Sequence, residues 1–165
     1  MIAPPAPPRF CPACAAPLET RAIDGLRRLA CPDPQCGYVF WDNPVPVVAG
    51  VVEYGDSVIL IQNQGWPPDW WGLVTGFLER GETPEQGVLR EVREELGLEA
   101  SLRRYIGSYS FFAKNQLILA FHLTAEGPIT QGEELAAYKP VPIAKLKPWP
   151  GATGQALADW LAGRG

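Results

Sequence analysis

Residues 76–98 read GFLERGETPEQGVLREVREELGL, and this stretch places several glutamates and one arginine at fixed offsets across a turn and a helix. Thr83 is a suitable helix N-cap, and Pro84 suits the first helical position, where no N–H is required. Gln86 stands three residues after Thr83, which completes a capping box. Gly97 is a typical residue to end the helix. The sequence therefore predicts a helix over residues 84–96.

This predicted helix has two different faces. One face is an apolar stripe that repeats every four residues and predicts packing on a core: Val88, Val92 and Leu96. The other face holds carboxylates at positions i, i+3 and i+4: Glu91, Glu94 and Glu95. Like charges so close together repel, and the arrangement becomes favourable when a cation lies between them. All-oxygen ligands suit a hard ion, so the pattern predicts Mg²⁺ or Mn²⁺ rather than zinc. Arg90, four residues before Glu94, is placed to brace one carboxylate by a bidentate contact.

The spacing of the charged residues argues against a plain solvated helix face, which is what most Glu/Arg runs are. Gly76 is followed by five residues, Glu82, seven residues and then REVREELGL over residues 90–98. At every fixed position this resembles the signature of the Nudix hydrolases. The resemblance implies an α/β/α sandwich with a mixed sheet. It also implies metal-dependent hydrolysis of the phosphoanhydride bond in a nucleoside diphosphate linked to another group X.

The same resemblance implies roles for individual residues. Five residues are expected at the Mg²⁺ or Mn²⁺ site: Gly76, Glu91, Glu94, Glu95 and the downstream Glu134. Glu133 stands beside Glu134, so that assignment is open by one residue. Arg90 would orient the carboxylates and Glu82 would support the site. The general base stays open among Glu94, Glu95 and Glu134, and we favour Glu134 near the attacking water.

The whole-chain composition fits one ordinary domain with a small appendage. The chain has 165 residues, 47% of them hydrophobic, and a net charge of −4 with a pI near 5.0. A chain of this charge has no global basic field for tight non-specific binding of nucleic acid. No run of eighteen apolar residues predicts a membrane span, and the opening MIAPPAPP lacks the features of a signal peptide. We therefore expect a cytoplasmic protein without membrane attachment, with a disordered Pro-rich tail at residues 1–8.

All four cysteines fall near the start of the chain, as Cys11-Pro-Ala-Cys14 and Cys31-Pro-Asp-Pro-Gln-Cys36. Two such pairs predict a Cys₄ zinc ribbon, which we place at residues 9–40. The alternative is two disulfides, which would need an oxidising compartment. Four thiolates fill a tetrahedral site and leave no open position, so the zinc is expected to be structural.

The rest of the chain, residues 41–165, is predicted to be the Nudix hydrolase domain. Runs rich in β-branched residues predict strands at 45–54 and 57–62. Further strands are predicted at 72–77, 101–110 and 116–124, the last of them nearly continuous in apolar residues, with a short edge piece at 140–143. An amphipathic helix at 153–161 is predicted to close the chain. The loop 63–71 is dense in tryptophan. Trp66 and Trp70 are candidates to stack a base, whereas Trp71 is expected to cover the core. His122 is expected to be a hydrogen-bonded strand residue rather than a catalyst.

Residues 11–165 most resemble the NADH pyrophosphatase branch of the Nudix family, in which a zinc ribbon precedes the Nudix domain. The branch's SQPWPFPxS motif corresponds here to residues 108–116, where Phe111 and Phe112 stand near its Trp and every Pro is missing. These two Phe are therefore candidates to bind the substrate base.

The branch implies a dinucleotide substrate such as NADH or NAD, extending to NAD-capped RNA 5′ ends, and a homodimer. Alternatives within the same chemistry are FAD, ADP-ribose or a nucleoside triphosphate. A different class of protein is a non-catalytic Nudix module that senses a ligand or binds RNA. The intact set of mutually repelling glutamates argues against that class.

Overall fold

The computed structural model describes residues 6–164, which form two compact units within Met1–Pro44 and Val45–Gly165. Most of the predicted tail at residues 1–8 lies outside the described residues. The functional division into 1–8, 9–40 and 41–165 stays a prediction. No helix in the described part of the chain is both long and apolar enough to cross a membrane.

The N-terminal unit contains a small antiparallel sheet with the strand order β1-β2-β3. Its strands are β1 (Glu19–Ile23), β2 (Leu26–Ala30) and β3 (Val39–Phe40). Asp24 and Gly25 connect β1 to β2 with φ angles of 51° and 79°, the positive values that a tight two-residue hairpin loop requires. Cys31 follows β2 directly, so the sheet carries the second cysteine pair toward the first.

The C-terminal unit is built on a mixed six-stranded sheet. Its elements are β4 (Val45–Tyr54), β5 (Ser57–Asn63), β6 (Val74–Phe77), α1 (Pro84–Leu96), β7 (Ala100–Phe111), β8 (Gln116–Ala125), β9 (Leu135–Pro142) and α2 (Ala152–Ala162). The strand order is β7-β8-β4-β5-β9, and β6 pairs with β4. The β4–β8 pair is parallel and the other pairs are antiparallel, which confirms the mixed sheet.

Both faces of the sheet are covered, because the side chains of β4 alternate between two buried layers. Val48 and Val52 pack in the cluster that holds the apolar stripe of α1. Val47 and Ala49 pack with Ala156 of α2, and other β4 and β5 residues pack around Trp160. This arrangement confirms the α/β/α sandwich.

The last strand is longer than the short piece expected at residues 140–143. β9 begins at Leu135, because it pairs with β5 along its length, from Leu135 opposite Asn63 to Pro142 opposite Ser57. Pro140 and Pro142 obscured this pairing in the sequence. Both are compatible with a strand at the edge of a sheet, where one side needs no N–H donors.

Candidate active site

Helix α1 is held in place by its ends and by its apolar stripe. The Thr83 hydroxyl accepts a hydrogen bond from the Gln86 N–H at 3.3 Å, and the Thr83 N–H donates to Gln86 Oε1 at 2.8 Å. Gly97 ends the helix in the left-handed conformation, and its N–H donates to the Arg93 carbonyl. The residues of the stripe are fully buried. With the helix anchored on that side, its glutamates project from the other.

Arg90 is the hub of the charged face. Its guanidinium donates to both oxygens of Glu82, at 3.1 and 2.8 Å, and to Glu91 Oε1 at 2.7 Å. It also donates to Glu94 Oε2 at 3.0 Å and to the Phe77 carbonyl at 3.1 Å. The bidentate contact therefore goes to Glu82, whereas Glu94 receives a single hydrogen bond. Arg90 holds the pKa of the Glu82 carboxyl below its usual range, and this contact with Glu82 is the main reason that the pKa of Arg90 itself is raised.

Gly76 and Glu91 fit together in a way that explains why a glycine begins the motif. Gly76 lies on β6, and a β-carbon at this position would overlap the Glu91 carboxylate. The absence of a side chain thus lets the Glu91 carboxylate pack against the strand backbone. Burial raises the pKa of Glu91, despite its contact with Arg90.

Glu95 is the buried carboxylate of the set. Its exposed fraction is 4%, and its Oε2 has no hydrogen-bond partner within residues 6–164. Burial, with the charges of Glu91, Glu134 and Glu94, raises the pKa of Glu95 to about 8. A buried carboxylate with an unpaired oxygen is unfavourable unless a cation lies beside it. This environment fits a bound divalent metal ion.

These residues open on one cavity of about 710 Å³. The predicted site residues that line it are Gly76, Arg90, Glu91, Glu94, Glu95, Glu134 and Trp66. Glu82 does not line the cavity but accepts two hydrogen bonds from Arg90, which does. Within residues 6–164, no three of these glutamates bring carboxylate oxygens as close together as the four cysteine sulfurs, which lie within 4.8 Å of one another. A single nitrogen of Arg90, Nη1, donates to one oxygen of Glu91 and to one oxygen of Glu94.

Glu134 reaches the cavity from the loop before β9. The Gln64 N–H donates to the Glu134 carbonyl at 2.9 Å, and Gln64 Nε2 donates to the Glu133 carbonyl at 2.6 Å. The Gly132 N–H donates to the Glu95 carbonyl at 2.9 Å. The loop is thus tied to both the end of β5 and the end of α1. Both Glu133 and Glu134 line the cavity, so the choice between them stays a prediction.

Of the four aromatic candidates, only Trp66 lines the cavity. Phe112 is 90% exposed at the start of a 3₁₀ turn, and Phe111 packs against the apolar cluster beside α2. Trp70 is 56% exposed, on a loop whose carbonyls accept hydrogen bonds from the Gln62 side chain. Phe111, Phe112 and Trp70 therefore do not line this cavity, and their assignment as substrate-binding residues stays a prediction. Whether each of these rings faces the cavity depends on the backbone conformation of its loop or turn, which the residue types alone do not determine.

Other cavity residues were missed by the sequence reasoning. They are Val47, Asn63, Thr75, Phe77, Glu79, Lys114 and Gln116. Glu133, which the sequence offered as the alternative to Glu134, lines the cavity as well. Most of these residues lie on strands or turns that strand pairing brings to the site, so no local sequence motif predicts them. Asn63 is notable because its side-chain oxygen is buried without a hydrogen-bond partner in residues 6–164.

His122 lies elsewhere, as expected for a structural strand residue. Its Nε2 is 2.7 Å from Glu53 Oε2, and its ring packs at 5.3 Å from that of Trp160. Burial lowers the pKa of His122.

The four cysteines of the N-terminal unit form a second candidate metal centre. All four are free thiols, and their sulfurs lie within 4.8 Å of one another. The Cys11–Cys36 and Cys14–Cys31 sulfur pairs are 3.5 and 3.4 Å apart. Zinc–sulfur bonds of about 2.3 Å in a tetrahedron place the sulfurs roughly 3.8 Å apart. The cluster therefore has the size and the donor set of a Cys₄ zinc site.

Comparison with known proteins identifies the larger part of the chain. The NUDIX domain family profile matches residues 44–160. The NAD-capped RNA hydrolase NudC of Stutzerimonas stutzeri strain A1501 is 34% identical over 129 residues, covering 77% of this chain and 45% of that protein. The protein of the same name from Pseudomonas aeruginosa strain LESB58 is 38% identical over 114 residues, covering 69% of this chain and 40% of that one. The chain thus spans less than half the length of these relatives.

A solved structure agrees over nearly the whole chain. The crystal structure of a NUDIX hydrolase from Nitrosomonas europaea is 25% identical and superposes with a TM-score of 0.79. The match covers 94% of this chain and 92% of that one.

Proposed function

The chain belongs to the Nudix family, and from that premise we propose that it is a metal-dependent pyrophosphohydrolase of nucleoside diphosphates linked to another group X. The observation that carries this proposal is the buried Glu95 carboxylate, which has one oxygen without a hydrogen-bond partner in residues 6–164 and belongs to the wall of the same cavity as Glu91, Glu94 and Glu134. A protein that only bound a ligand would gain nothing from burying a carboxyl group that has an oxygen without a hydrogen-bond partner.

The residues proposed to hold Mg²⁺ or Mn²⁺ are Glu91, Glu94, Glu95 and Glu134, together with the backbone at Gly76. Their donor atoms are all oxygens, which fits a hard divalent ion. When bound, such ions neutralise the pyrophosphate and increase the acidity of an attacking water.

The chain's own residues organise this chemistry. Arg90 holds Glu91 and Glu94 at fixed positions and is itself locked by the bidentate contact with Glu82. Glu94 accepts from Arg90, and Glu95 is deeply buried, so both are poorly placed to collect a proton from water. We therefore propose Glu134 as the general base, on the loop that Gln64 ties down.

The proposed substrate is a dinucleotide such as NADH or NAD, including an NAD-capped RNA 5′ end. Two relatives of this chain are named NAD-capped RNA hydrolases. A cavity of about 710 Å³ is in the range that holds a ligand of this size. Trp66 is the one predicted aromatic candidate that lines the cavity, whose wall also includes Phe77, and we propose that Trp66 stacks the base.

For the cysteine cluster we propose a structural zinc ion. The four sulfurs complete its coordination, which leaves no position for substrate. A small unit with a three-stranded sheet gains much of its stability from such an ion. Because a zinc site needs reduced thiols, we also propose that the protein is located in a reducing compartment, the cytoplasm. By analogy with the branch we also propose a homodimer.

A substrate panel tests the proposed function. The purified chain is incubated with NADH, NAD, FAD, ADP-ribose, a nucleoside triphosphate and an NAD-capped RNA oligonucleotide, in parallel with Mg²⁺ and with Mn²⁺. We expect the dinucleotides and the capped RNA to give nucleoside monophosphate products, and metal-free samples to give none. Turnover of none of the six compounds with either metal would refute the hydrolase proposal and favour a binding module.

A further inference from the structure

One basic side chain of the cavity is left without a role in the proposed chemistry. Among residues 6–164, the cavity wall holds six glutamates and two cations, Arg90 and Lys114. Arg90 is committed to three carboxylates. Lys114 has no carboxylate oxygen within 4.0 Å anywhere in residues 6–164. Its charge is therefore available to a ligand.

The position of Lys114 is set by the turn between β7 and β8. Lys114 ends a single 3₁₀ turn, which closes with Asn115 in the left-handed conformation and the Asn115 N–H donating to the Phe112 carbonyl. The Val45 N–H of β4 donates to the Asn115 carbonyl at 2.8 Å, which joins the turn to the sheet. The backbone that carries the lysine is thus anchored even though its side chain is exposed.

The Lys114 side chain also has a partner that limits its freedom. Its ammonium lies 5.9 Å from the centre of the Phe111 ring, within the range of a cation–π contact. Because Phe111 packs against the sheet, it offers a fixed surface for the lysine. Phe111, which sequence reasoning assigned to the substrate base, here supports the cation beside the cavity instead.

Lys114 and the Glu91 carboxylate lie beside opposite edges of strand β4. Glu91 packs on Gly76 of β6, and β6 pairs with one edge of β4. Lys114 precedes β8, which pairs with the other edge of β4, with Gln116 opposite Val45. Strands lie about 4.8 Å apart, so the strands on the two edges of β4 are about 10 Å apart. A nucleotide with one phosphate at the carboxylates is long enough to place a second charged group beside the lysine.

We propose that Lys114 is a substrate-binding residue that pairs with a phosphate group of the nucleotide substrate at the rim of the cavity. This inference rests on the proposed function and names a contact that the glutamates cannot supply, because they repel a phosphate that no metal ion neutralises. The phosphate is either part of the pyrophosphate itself or the first phosphodiester of a capped RNA. An ammonium suits both, since it binds phosphate as a compact point charge.

The test compares Lys114→Met, which keeps the apolar stem and removes the charge, with Lys114→Arg and with the wild type. Lys147→Met is the matched control, because Lys147 is also exposed but does not line the cavity. KM and kcat are measured with NADH and with an NAD-capped RNA oligonucleotide at fixed Mg²⁺. We expect Lys114→Met to raise KM about tenfold with kcat within about threefold, and Lys114→Arg to restore most of the loss.

The two substrates distinguish the two phosphates. A raised KM for both substrates places Lys114 on the pyrophosphate, and a raised KM for the capped RNA alone places it on the phosphodiester. If Lys114→Met and Lys147→Met have the same KM for both substrates within twofold, the proposal is refuted.

A second readout does not depend on turnover. Binding of the capped RNA is followed by fluorescence anisotropy with Ca²⁺ in place of Mg²⁺, and Lys114→Met should weaken it about tenfold. A wild-type protein that binds the RNA but hydrolyses neither substrate would overturn the proposed hydrolase function, while the loss of binding in Lys114→Met would still support the lysine contact. Equal binding by the wild type and Lys114→Met, or no binding by the wild type, would overturn the lysine contact.

Discussion

Replacing Glu95 by Gln should separate the stability of the metal-free protein from its activity. The substitution removes the charge of the Glu95 carboxyl and leaves its volume almost unchanged. In the native protein this side chain is 4% exposed, with one oxygen unpaired. A divalent ion is the partner that we propose for this oxygen, so we expect Glu95→Gln to lower kcat by a hundredfold or more.

In the metal-free protein, Glu95→Gln should increase the free energy of unfolding near pH 8, although it lowers activity. The folded state raises the pKa of Glu95 from 4.5 to about 8, so the metal-free folded protein binds more protons than the unfolded chain between these pH values. Its free energy of unfolding therefore decreases as the pH rises through this window. At about 1.4 kcal/mol per pKa unit, the effect is on the order of a few kcal/mol. Glutamine has no charged form, so Glu95→Gln should lose this part of the pH dependence.

The assay is denaturant unfolding of the metal-free protein from pH 5 to pH 8, with and without added Mg²⁺. Glu94→Gln is the matched control, because the Glu94 side chain is 58% exposed. It should lose similar activity but keep the pH dependence of stability. The reasoning would be refuted if Glu95→Gln kept activity within a few-fold of wild type, or if its metal-free unfolding showed the wild-type decline toward pH 8.

Three further substitutions test other parts of the structure. Gly76→Ala places a β-carbon on the Glu91 carboxylate, so we expect activity to fall at least tenfold and the Mg²⁺ concentration needed for half-maximal rate to rise; wild-type metal dependence would contradict this. Metal analysis of the wild-type protein should find about one zinc per chain. The Cys14→Ser variant should bind no zinc and have a less stable N-terminal unit. A wild-type protein without zinc would count against the proposed zinc site. Trp66→Leu should raise KM for dinucleotides roughly tenfold or more with a smaller change in kcat, because stacking on an aromatic ring contributes about 1–3 kcal/mol per base. Trp70→Leu, outside the cavity, should leave KM unchanged. Equal KM values in the two variants would reject Trp66 as the residue that stacks the base.

The parts of the fold that sequence predicted well are those whose causes are local. The bounds of α1 follow from Thr83, Gln86 and Gly97, which act within one turn of the residues that they cap. Its apolar stripe follows from a period of nearly four residues, and the stripe in turn determines which side the glutamates occupy. The same holds for the β4–β5 hairpin, where the turn residues lie between two runs of β-branched residues.

The cavity could not be read in the same way, because its wall depends on strand register. Gln116 lies opposite Val45, and Gly76 lies opposite Val48, so three strands distant in sequence meet at one site. Whether an aromatic residue faces that site depends on a single turn. Phe111 and Phe112 are adjacent in sequence, yet one packs on the core and the other is almost fully exposed.

The carboxylates of α1 share one sequence pattern but have three different environments. Glu94 is mostly exposed and bound to Arg90, whereas Glu91 is largely buried and also bound to Arg90. Glu95 is buried, and within residues 6–164 one of its oxygens has no partner. Arg90 is tied to Glu82, so it cannot move to neutralise Glu95 without giving up its bidentate contact. The arrangement therefore leaves the buried Glu95 carboxyl as the group that we propose a metal ion binds, and it depends on Arg90 and on Glu82, which precedes the helix, as much as on the three glutamates of α1.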